Sequence, residues 1–232
     1  MDQFLALYVD ELRNMKRGLL IIFAIIIGYM ILVSIYPFQL LSSLPVSSFL
    51  LRLGMKLFYL FPILFAFSLY KEEKNQPLYQ ADSLKVQKSK QLLFKYFVLV
   101  DAMILMTLIV FLHNMLMMSG ILPYPDTINN AAIGDIRVLF SAILHIFSTP
   151  FILLSLVCTA WGVMQKVKRF KVLFGLAVMA AGWLLYDTLF GLSNTVGKTF
   201  AEETMYIILL TLFLGAVYCA VGVFLDKRVG GE

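Results

Sequence analysis

Apolar residues gather into six long runs along the chain, near residues 19–36, 53–70, 96–118, 138–163, 172–190 and 205–225, with short polar interruptions between them. About 20 helical residues cross the roughly 30 Å hydrocarbon core of a bilayer, so each run predicts a transmembrane helix. Lipid offers no partner to a backbone donor or acceptor, and apolar/polar alternation at period two is absent, which excludes a membrane β-barrel. The predicted fold class is all-α: a single polytopic transmembrane domain over residues 1–232 with six spans.

Residues 2–17 carry a different pattern. Phe4, Leu5, Tyr8, Leu12 and Met15 recur at three- and four-residue spacing, while Asp2, Asp10, Glu11, Arg13, Asn14 and Lys16 fall mostly on the other face. This predicts an amphipathic helix lying along the inner leaflet. No small-residue cleavage site follows, so the segment does not read as a cleaved signal peptide. Fifteen of the 19 basic residues lie before the first span, in the loops near 71–95 and 164–171, or after the last span. That asymmetry predicts cytoplasmic N and C termini in a multi-pass protein of the plasma membrane.

Composition sharpens the picture. Of 232 residues 61% are hydrophobic and 14% charged, against roughly 45–50% and 25% in a soluble domain, so a soluble globule is excluded. The net charge of +5 does not point to nucleic acid, because the basic residues sit between apolar runs instead of forming one stripe. The two cysteines, Cys158 and Cys219, stand inside apolar runs and offer no disulfide framework or zinc-ligand spacing.

The longest segment on the basic side, residues 71–95, opens with Lys71, Glu72, Glu73 and Lys74, is broken by Pro77, and meets two helix-capping residues, Asp82 and Ser83. From there Leu84, Gln87, Lys88, Gln91 and Lys95 predict a charged helix leading into the third span, a surface that a soluble partner could grip. Together these features resemble the membrane subunit of ABC-2 type (type V) ATP-binding-cassette exporters. That family has an N-terminal interfacial elbow helix, six spans, both termini inside, and a coupling helix between spans two and three. Its loop pattern is Glu, a Gly-Thr step, Leu-Pro-x-Ser-Arg and a later Lys. Glu72 or Glu73, Leu84, Val86, Lys88 and Lys95 match it, whereas Gln76, Pro77, Lys85 and Gln87 stand where the family has Gly, Thr, Pro and Ser.

The resemblance implies a permease half that pairs with a second copy or a related permease. It would dock an ATP-binding-cassette ATPase through Glu72, Glu73, Leu84, Lys85, Val86, Lys88, Lys90 and Lys95. ATP and magnesium would belong to that ATPase, with no cofactor and no catalytic residue in this chain. The many Phe and Met residues in the spans, with short outer loops, lean toward a hydrophobic or amphipathic cargo such as a peptide, lipid or drug.

Polar residues within spans need a protein or water neighbour. Ser141, His145, Ser148, Ser155 and Thr159 are spaced by 4, 3, 7 and 4 residues and share one face of the fourth span, making them candidates for lining a translocation path or for interhelical hydrogen bonding. Pro150 leaves the Ile146 carbonyl without its usual donor and permits a kink there. The alternative function is a polytopic membrane enzyme using His145 and nearby hydroxyls, although neither an H-E-x-x-H nor a G-x-S-x-G motif occurs. Gly191 to Thr199 ends in Gly-Lys-Thr but has five residues, not four, between its glycines and no strand before them, so it is not a phosphate loop.

Overall fold

The structure is a computed structural model that describes residues 2–35, 56–75, 83–118, 136–167, 169–196 and 200–227. Within these, the side chains at 2–3, 33, 35, 74–75, 83–89, 114, 117–118, 136–143, 145–146, 193–196, 200–202 and 227 are not described. The described residues form six α-helices: α1 Asp2–Ile35, α2 Leu60–Asn75, α3 Ser83–Met118, α4 Ile136–Lys166, α5 Lys171–Val196 and α6 Phe200–Lys227. A 3₁₀ turn at Leu57–Tyr59 leads into α2. Five of the helices, α1, α3, α4, α5 and α6, are long and apolar enough to cross a membrane, with mean hydropathies of 1.7 to 2.5 over their apolar windows. The chain has the helical make-up of a multi-pass membrane protein.

Two elements differ in outline from the expectation. The predicted interfacial helix and the first span form one continuous 34-residue helix. Gly18, at the junction, does not break it. A Cβ at that position would lie 2.6 Å from Leu64 Cδ1 of α2, so the glycine is there for close packing. The second predicted span is described only from residue 56 onward. Its helix, α2, is 16 residues long and its last turn, Lys71-Glu72-Glu73-Lys74, is charged, which leaves the described apolar part shorter than a bilayer crossing. Arg52 and the rest of residues 36–55 lie outside the described residues.

Contacts between helices fix their relative directions. Glu11 meets Lys95 near one end of α1 and α3, and Ser34 meets His113 near the other, so these two run parallel. Gly182 receives Leu156 and Gly175 receives Met164, so α5 runs antiparallel to α4. Phe151 packs on Gly215, and Thr159 bonds Tyr218, so α6 runs parallel to α4. This is the up-and-down order that successive membrane crossings impose.

The core sits where helices cross. On one face of the 3₁₀ turn and α2, Phe58, Phe61, Phe65 and Leu69 are buried at helical spacing. They pack with Met15, Leu19, Ile22 and Ile26 of α1 and with Leu92, Leu99, Met103 and Met106 of α3. α4 is central, with 61% of its apolar window buried, and continues through Pro150 without ending. α5 is peripheral, with only 11% buried. Its Leu173, Leu176, Leu184 and Leu185 face outward, as do Ile21, Ile25 and Leu32 of α1. An apolar surface this extensive is stable only where the solvent is hydrocarbon. A four-residue connection joins α4 to α5, with Phe170 in the left-handed region at φ 55° and its carbonyl accepting from the Phe174 N–H at 3.1 Å.

Candidate functional site

One end of the bundle collects polar groups from all six helices. Glu11 comes from the first third of α1, and Glu72 and Glu73 from the last turn of α2. Gln91 and Lys95 come from the early turns of α3. Gln165 and Asp226 close α4 and α6, and Lys171 opens α5. A small open cleft at this end is lined by Leu69, Glu72, Glu73, Gln91, Leu92, Trp161, Gln165 and Asp226.

Lys95 anchors the face from beneath. It is 2% exposed, its ammonium group donates to Glu72 Oε1, and it lies 3.8 Å from Glu11 Oε2. Glu11 is itself 4% exposed, and its Oε2 accepts no hydrogen bond. The Lys95 charge is thus what compensates a buried carboxylate, an arrangement in which loss of the cation costs far more than loss of a surface pair. Glu73 and Lys171 form a second bridge at 3.5 Å, about two-fifths exposed on both sides, where the contribution is small. Lys90 is exposed. Leu84, Lys85, Val86 and Lys88 belong to the first turns of α3, where the backbone is helical and the side chains lie outside those described. By register, positions 84, 88, 91 and 95 fall on one helical face, the one that reaches the cleft at Gln91. Of the residues expected to engage a soluble partner, the structure brings Glu72, Glu73 and Lys95 together, with Lys95 as internal frame.

The hydroxyl stripe of α4 points into the bundle. Ser148, Ser155 and Thr159 are buried. Ser155 donates to the Phe151 carbonyl at 3.0 Å, and its oxygen lies 2.7 Å from the Tyr96 hydroxyl of α3. Thr159 donates across to the Tyr218 carbonyl of α6 at 2.5 Å. These side chains tie α4 to its two neighbours. Ser141 and His145 stand on α4, but their side chains are outside those described. Gly191 to Val196 continue the α5 helix.

Three partners escaped the sequence reading. The sequence pattern puts Glu11 on the polar face of α1, yet it falls in register with the buried Met15, Leu19, Ile22 and Ile26; an acid within an apolar stripe is the available signal. Tyr8 donates to Asp101 at 2.7 Å, and Ser34 meets His113 Nε2 at 2.8 Å. No local pattern announces either pair, because each joins helices far apart in sequence. Among the described residues no group of three His, Cys, Asp or Glu side chains is placed to hold a metal ion. Comparison of the chain with protein-family models, with curated proteins and with solved structures finds no match.

Proposed function

We propose that the chain is the permease subunit of an ATP-driven ABC-type exporter, forming half of a translocation path and docking a separate ATP-binding subunit at the polar end of the bundle. In this reading residues 53–70 complete the second of six crossings, both termini are cytoplasmic, the first turns of α1 continue the first crossing towards the cytoplasmic side of the plasma membrane, and a second permease copy or a related one supplies the other half. The cargo is hydrophobic or amphipathic.

The observation that supports it best is α3. This helix runs for 36 residues from Ser83 to Met118, about 54 Å at 1.5 Å per residue, with the charged coupling segment and the apolar span on one unbroken rod. A helix so built transmits a displacement at its charged end to the hydrocarbon half without an intervening hinge. Lys95 sits at the transition and binds the rod to α1 and α2. A motor pressing on residues 83–90 would therefore move three helices together.

The test is co-purification of the chain with an ATP-binding-cassette ATPase, followed by ATP turnover of the complex in lipid vesicles. Charge reversal at Lys85, Lys88 and Lys90 is expected to weaken partner binding and to uncouple ATP turnover from cargo. Unchanged binding and turnover in that triple variant would remove the coupling assignment.

A further inference from the structure

The seam between α4 and α6 holds the only two cysteines of the chain side by side. Both are buried. The Cys158 thiol reaches the Cys219 carbonyl at 3.8 Å, one residue from the place where Thr159 bonds the Tyr218 carbonyl. The two backbones touch at the seam: a Cβ on Gly222 would collide with the Cys158 carbonyl. A disulfide requires Cα atoms within roughly 4.4–6.8 Å, and small residues at a crossing let two helix backbones approach closely. The cleft lined by Trp161 and Asp226 opens about one helical turn from Cys158.

We infer that Cys158 and Cys219 are a buried dithiol that closes to a disulfide across the α4–α6 seam when a small uncharged two-electron oxidant reaches it. The atoms balance simply. With a hydroperoxide, one sulfur attacks the terminal peroxide oxygen, the O–O bond breaks, the alcohol (water, for hydrogen peroxide) leaves and a sulfenic acid remains; the second thiol attacks that sulfur, the S–S bond forms, and the sulfenic oxygen leaves as water. Two thiol hydrogens and two electrons go to the oxidant. With diamide the same pair of hydrogens adds across its N=N bond. Charged oxidants are kept out by the hydrocarbon around the seam, whereas a neutral one partitions into it. The bond would pin the central helix of the bundle to α6, and reduction by a dithiol would release it.

The full chain in detergent micelles provides the test. It is treated with diamide, quenched, denatured and exposed to a maleimide. The expected product is a monomer that takes up no maleimide and regains two after reduction. Because the chain has no third cysteine, intact mass alone assigns the bond. Retention of maleimide uptake after diamide, or disulfides that link two chains, would overturn the inference. A second measurement separates proximity in the fold from chance encounter: the same oxidation in denaturant is expected to close the pair at least about tenfold more slowly, since the effective concentration set by a long flexible loop is low. Equal rates in folded and unfolded chain would also overturn it.

Discussion

Gly162 of α4 and Gly222 of α6 meet backbone against backbone: a Cβ added to Gly162 would run into the Gly222 carbonyl, and one added to Gly222 into the Cys158 carbonyl. Neither obstacle is a flexible side chain that can swing away. Gly222→Ala is therefore expected to force the helices apart and lower stability by about 1–3 kcal/mol, the usual cost of overpacking a close contact. Gly28→Ala, with nothing within 4 Å of its added Cβ, is the matched control and should leave the thermal midpoint unchanged or slightly raised. Midpoints measured in detergent decide between the two.

The Lys95 cluster predicts an asymmetry. Lys95→Met strands the buried Glu11 carboxylate and should cost about 3–5 kcal/mol, while Glu72→Gln, which alters a side chain 40% exposed, should cost under about 1 kcal/mol. Adding Glu11→Gln to Lys95→Met should restore much of the loss, because the stranded charge is then gone. Chemical denaturation of the unaltered chain, Lys95→Met, Glu11→Gln and the double variant reads this cycle. A double variant no more stable than Lys95→Met would contradict it.

At the α3–α4 contact, removing one hydroxyl differs from removing the other. Tyr96→Phe leaves Ser155 still bonded to the Phe151 carbonyl and should cost about 1 kcal/mol, whereas Ser155→Ala leaves the buried Tyr96 hydroxyl without its partner and should cost about 1–3 kcal/mol. Unfolding midpoints ordered the other way would show that Tyr96 has another acceptor.

Orientation has its own measurement. Arg169, exposed in the connection between α4 and α5, stands on the side proposed to be cytoplasmic. In a chain with both native cysteines replaced, Arg169→Cys is expected to react with a membrane-impermeant maleimide in inside-out vesicles and not in intact cells. Labelling in intact cells would invert the proposed topology.

Helix existence and type were legible from the sequence because runs of 18 or more apolar residues leave the backbone no alternative in lipid. The inward face of α4 was legible too, since the spacing of Ser148, Ser155 and Thr159 fixes a common face whatever lies opposite. What lies opposite was not. Tyr96, Tyr218 and Glu11 became partners only through packing between helices 59, 59 and 84 residues apart, which no local window samples. The join between residues 2–17 and the first span was not legible in the pattern, because charges precede the apolar run there; nothing at that point opposes helical backbone, and Leu64 of α2 fills the space beside Gly18.

The scant embrace of α5 by its own chain has a mechanical corollary. Displacing a rod with 11% of its apolar window buried gives up far less interior packing than displacing α4, with 61%.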